Sequence, residues 1–156
     1  MKVLNKVLIG LTTVFMLTAC ASKTDYATFH SKAGEAYEKA KEVSFSKVVV
    51  SGWEKNDKGE KEEYDNVTVK FEKGTYSTIG GLLDSTAKEI ALAAMLNFTF
   101  ASVMPEDEDA TYYAGSSFKV EGKDSDGNKA VETWNQYGLL TSMKSADGQL
   151  KVSYKK

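Results

Sequence analysis

Val67-Thr68-Val69-Lys70-Phe71-Glu72 sets an apolar side chain against a polar one at every step. A period of two puts Val67, Val69 and Phe71 on one face of a strand and Thr68, Lys70 and Glu72 on the other. One face is buried and one is wet, as in an antiparallel sheet open to water on one side. Upstream, Val43 to Lys55 is rich in β-branched and aromatic residues and reads as a long strand. Asn56-Asp57-Lys58-Gly59 is a turn cluster, and Glu62 to Lys73 is the returning strand. Gly74 and the Gly80-Gly81 pair bracket a short third strand around Tyr76.

The same alternation returns in the C-terminal third, which reads as a β-meander. Thr111 to Lys123 is a strand in which Phe118 and Val120 alternate with Lys119 and Glu121. Asp124-Ser125-Asp126-Gly127-Asn128 makes a hairpin turn. Its acids suggest an EF-hand loop, but Lys129 stands where that motif wants Gly and Asn135 where it wants Glu. Lys129 to Gln136 runs back, Tyr137-Gly138 turns, Leu139 to Ser145 follows, Asp147-Gly148 turns, and Gln149 to Tyr154 closes. Trp53, Trp134 and the tyrosines are read as core or cross-strand pairs within this sheet.

Two helices must cover the buried face. Asp25 to Glu42 carries Phe29, Ala33, Ala36, Tyr37 and Ala40 at three- and four-residue spacing, with Asp25 or Thr24 as cap. Its polar face mixes Lys and Glu without a basic excess, so it packs on the sheet and not on a membrane. Asp84 to Met104 is the second helical stretch, with Asp84 or Ser85 as cap. From Ile90 to Met104 only Asn97, Thr99 and Ser102 are polar, which predicts a helix buried nearly all round or bordering an apolar cavity. Phe98-Thr99-Phe100 fits a strand equally well, and Pro105 marks the end.

Ahead of these elements, Leu17-Thr18-Ala19-Cys20 closes an apolar run that begins at Val7. Lys2 and Lys6 give a positive start and Thr18-Ala19 small residues before the cut, so residues 1–19 read as a secretory signal. The apolar core is too short for the ~20 residues that span a bilayer. The four residues resemble a bacterial lipobox, which implies that Cys20 becomes the new N-terminus and is lipidated with palmitate-type chains. Residues 20–24 are then the lipidated Cys and a short linker, and 25–156 a single domain. The resemblance implies a place at the cell membrane or outer membrane, facing the periplasm or exterior. Cys20 is the only cysteine, so the exported domain has no disulfide and no thiol nucleophile.

Composition narrows the function. Without Lys2 and Lys6, 18 Lys face 22 acidic residues, and there is no Arg. An acidic, Arg-free domain is a poor nucleic-acid binder, so nucleic acid is excluded as a partner. His30 is the only histidine and has no motif around it. Glu106-Asp107-Glu108-Asp109 reads as a solvated loop, since consecutive residues do not all turn toward one ion. No phosphate loop, nucleophile elbow or metal-spaced cluster occurs, so neither catalysis nor a cofactor is expected.

The order of helix, long hairpin, apolar helix and meander, with Trp134-Asn135-Gln136-Tyr137-Gly138-Leu139-Leu140-Thr141 in the meander, resembles the LolA/LppX-type lipoprotein fold. That resemblance implies a curved antiparallel sheet wrapped around helices, with room for an acyl chain. The expected fold is therefore α+β: a curved antiparallel β-sheet of about six strands packed on two helices. The expected function is non-catalytic binding of an apolar or amphiphilic ligand, a lipid among them, in the cell envelope. Leu92, Met95, Leu96 and Phe98 would form the wall of the ligand site. The alternative is an envelope protein–protein interaction module that holds no small molecule.

Overall fold

A computed structural model describes residues 21–80 and 86–156. The expected leader, Cys20, Gly81 and the expected caps Asp84 and Ser85 lie outside the described residues. Strand β1 spans Ser22–Thr24 and helix α1 Tyr26–Ala40; β2 (Ser44–Lys55), β3 (Lys61–Glu72) and β4 (Thr75–Thr78) follow. Helix α2 spans Ala87–Phe98 and leads through a 3-10 turn at Ala101–Val103 into β5 (Thr111–Ala114). The chain then runs through β6 (Phe118–Lys123), β7 (Lys129–Trp134), β8 (Leu140–Lys144) and β9 (Gly148–Lys155).

The nine strands form one antiparallel sheet in the order β1-β5-β6-β7-β8-β9-β2-β3-β4. The α+β class stands, while nine strands replace about six. Two of the additions have plain physical causes. Ser22–Thr24, expected as linker, pairs with β5 through Ser22↔Ala114, Lys23↔Tyr113 and Thr24↔Tyr112. Thr111 to Lys123 divides in two because Gly115-Ser116-Ser117 turns the chain back on itself, closed by Gly115 N–H to Ser117 O at 3.0 Å. The remaining meander follows the alternation of its residues.

Val69 and Phe71 are fully buried, as their period of two requires, and pair with Val48 and Phe45 of β2. The β3–β4 turn is Lys73-Gly74, both with positive φ, the geometry that fits a two-residue hairpin to strand twist. Gly52 sits at a break in the β2–β3 register with φ 143°, and a Cβ there would lie 1.8 Å from the Gln149 carbonyl oxygen. Only glycine fits so close an approach of β2 to β9.

Helix α1 begins at its Asp25 cap, whose Oδ1 accepts from Thr28 N–H at 2.8 Å. Its buried stripe is Phe29, Ala33, Ala36 and Ala40. Phe29 packs its ring against Tyr112, Phe118 and Trp134, which seats the helix on β5, β6 and β7. Small residues then bring the chain close: a Cβ at Gly138 would already touch Ala36 and Ala101, each at 3.7 Å, and Ala101 N–H donates to Gly138 O. The second half of the core is aromatic. Phe100 contacts Tyr37, Phe71 and Tyr76, and Phe45 contacts Phe71 and Tyr154. Tyr76 donates its hydroxyl to Tyr154, which in turn donates to Leu140 O. Burial holds both phenols above the ordinary tyrosine range.

Candidate functional surface on helix α2

Thr86 caps α2 through a capping box, its Oγ1 accepting from Glu89 N–H while the Glu89 carboxylate accepts from Thr86 N–H. The helix packs on β3 and β4, and Asn97 fixes its far end by bonding both N–H and C=O of Tyr76. It stops at Phe98 because Thr99 turns its hydroxyl back to Met95 O and Leu96 O, while its own carbonyl accepts the Trp134 indole N–H at 2.7 Å. Phe98 therefore ends a helix and is not in a strand, and Phe100 continues in extended backbone.

The expectation of a helix buried nearly all round is corrected. Leu92, Ala93 and Leu96 are its buried residues. Ile90 is 45% exposed and Phe98 79% exposed, and Ala87, Ala91 and Ala94 are exposed beside them. At about 100° per residue, these five fall in an arc roughly 100° wide, centred opposite Leu96. No charged residue falls in that arc. Lys88 and Asn97 flank it, and each is held by the protein: Lys88 Nζ donates to Glu63 O at 2.5 Å and lies over the Tyr64 ring. An apolar stripe facing the sheet and a second facing water make α2 apolar on two opposite sides.

The four residues expected as a ligand wall do not share a face. Leu92 (2% exposed) and Leu96 (fully buried) are core, Met95 is half-buried, and Phe98 is largely exposed. Leu92 and Met95 do line a shallow cleft of about 230 Å³ together with Glu54, Tyr64, Lys88 and Ala91. Tyr64 donates its hydroxyl to the Glu54 carboxylate there. A ligand site that encloses a drug-sized molecule is larger, about 300–1,000 Å³.

A second cleft, of about 140 Å³, lies between Tyr112, Val120, Gly122 and the loop of Pro105 and Asp107. Glu132 of β7 faces into it with its Oε2 buried and without a hydrogen-bond partner among the described residues. Burial pushes this carboxyl above the ordinary glutamate range. The sequence carried its signal: Ala130, Glu132 and Trp134 share a face by period two, so Glu132 is a charge on the inner side. His30 is exposed and stacks beside Tyr26 at 5.6 Å. The acidic run 106–109 is a loop in which Asp109 N–H bonds Asp107 Oδ1. Among the described residues no group of three or more His, Cys, Asp or Glu is placed to hold a metal ion. No described helix is long and apolar enough to cross a membrane.

Comparisons of this chain with protein-family models, with curated proteins and with solved structures found no match.

Proposed function

We propose that this chain is a lipid-anchored, non-catalytic protein of the cell envelope. It engages apolar or amphiphilic matter on an open surface and does not seal a ligand inside its fold. The observation that carries this reading is the apolar face of α2, exposed over a packed core. An exposed apolar stripe is costly in water and marks a contact surface when its residues are contiguous. The Cys20 anchor, proposed from its lipobox, places that surface in the envelope. The cleft beside Leu92 and Met95 has room for part of an amphiphile and supports the same reading, with Lys88 and Glu54 at its polar rim.

The test is native mass spectrometry of the full chain, released from detergent micelles. The expected mass is the chain with its covalent lipid alone. One further lipid per chain, retained after release, would refute the open-surface reading in favour of an enclosed carrier. One observation favours a second reading, that of a protein-docking module: Ala87, Ala91 and Ala94 let another backbone approach the stripe closely.

A further inference from the structure

We propose that the exposed face of α2 rests on the bilayer that anchors Cys20, with Phe98 and Ile90 seated at the head-group boundary. The inference depends on the lipidation of Cys20 and names the occupant of the surface described above.

The first support is the length of the tether. Strand β1 begins at Ser22, and its register is fixed by Ser22↔Ala114. Two residue steps separate Cys20 from that paired strand, a reach of about 7 Å when fully extended. A sequence reading of residues 20–24 as linker would let the domain float; a sheet strand there does not. The domain is held against the lipid surface, and some part of it touches that surface at all times. Under such confinement the effective concentration is high, so a modest apolar contact decides the orientation.

The second support is where the stripe ends. Thr99, next to Phe98, accepts the indole N–H of Trp134. Trp134 pairs with Phe118, Phe118 with Ala114, and Ala114 with Ser22. Three strand spacings, about 15 Å, thus separate the point where the chain enters the sheet from the strand that bonds Thr99, while the body of α2 packs on β3 and β4 at the other edge of the sheet. Phe98, the most exposed of the large apolar side chains among the described residues, directly precedes the residue bonded to that strand.

The third support is electrostatic. The exported chain carries a net negative charge, which opposes binding to anionic lipid through most of its surface. The arc from Ala87 to Phe98 holds no carboxylate, and Glu89 lies on the far side of the helix. This face approaches a lipid surface without charge repulsion of its own.

The experiment places photoreactive benzoylphenylalanine at position 98 of the full chain in cell membranes. A control carries it at position 126, exposed in the β6–β7 turn, several residues farther along β6 from the Phe118 level. After irradiation, intact mass reports both the adduct and the lipid on Cys20. The expected result is a phospholipid adduct at 98 in about tenfold or greater excess over 126, the bias of an orientation favoured by one decade. A protein or second-copy adduct at 98, equal lipid adducts at both positions, or no adduct at 98 overturns the proposal. Absence of lipid on Cys20 would appear in the same spectrum and would instead refute the anchor, taking the proposal with it.

Discussion

The two faces of α2 make a paired substitution the most direct test of its packing. Leu96 is fully buried, and Phe98, two residues later, is 79% exposed. Leu96→Ala removes three carbons from the core, about 0.8 kcal/mol each in transfer, and leaves a cavity that adds to the cost. The expected loss is about 3 kcal/mol. Phe98→Ala removes a larger side chain, yet most of it already contacts water, so the loss should stay within about 0.5 kcal/mol. Urea denaturation at neutral pH measures both, because a core cavity lowers the midpoint and leaves the slope unchanged. For a domain that loses about 1–3 kcal/mol per molar urea, Leu96→Ala should lower the midpoint by one molar or more. A Phe98→Ala loss above about 1.5 kcal/mol would mean that α2 is docked through the other face, and the surface proposed here would not exist.

Three further substitutions probe other parts of the structure. Gly52→Ala should cost about 3 kcal/mol or more, since the new Cβ meets the Gln149 carbonyl and φ is 143°; a thermal melt near wild type would refute the close β2–β9 approach. Glu132→Gln should stabilise by about 1–2 kcal/mol at neutral pH by removing the charge of a half-buried carboxyl whose Oε2 has no hydrogen-bond partner among the described residues. The native carboxyl titrates above its ordinary 4.5, so the stability it allows is fully present below that value and is lost as pH rises through the native one. Wild type should therefore weaken relative to Glu132→Gln as pH rises, and parallel urea midpoints across that range would count against the burial argument. Trp134→Phe should cost about 2 kcal/mol, because Thr99 O loses its donor and the indole leaves unfilled volume; calorimetry checks it.

Much of the architecture was legible because single residues acted through local periodicity. Phe29, Ala33, Ala36 and Ala40 repeat at helical spacing and all became buried, and Asp25 caps α1. Val69 and Phe71 alternate with polar residues and became core. Strand β1 was hidden because three residues show no period, and Lys23 and Thr24 gain their extended form only from Tyr113 and Tyr112 across the ladder. The end of α2 was hidden for the same reason. Asn97 and Thr99 stop the helix by bonding Tyr76 and accepting from Trp134, partners 21 and 35 residues away. Periodicity was silent on the outward face of α2, because a helix apolar on both sides shows no preferred side. Exposure of Ile90 and Phe98 is decided by what the sheet leaves uncovered.

The same packing argues against an enclosed ligand and explains where the apolar surplus went. A lipid cavity between helix and sheet needs the two layers held apart, whereas Ala101 bonds Gly138 and the space between Gly138 and Ala33 and Ala36 of α1 is no wider than a methyl group. The remaining space is occupied by rings: Phe29 among Tyr112, Phe118 and Trp134, and Phe100 among Tyr37, Phe71 and Tyr76. To admit an acyl chain these rings would have to leave their contacts, at a cost of several kcal/mol for each large aromatic displaced. Helix α2 therefore has one apolar face that completes this core through Leu92 and Leu96 and a second that the core has no volume to accept. With the chain entering the sheet only two residues after Cys20, the lipid anchor proposed above would bring a bilayer within reach of that second face.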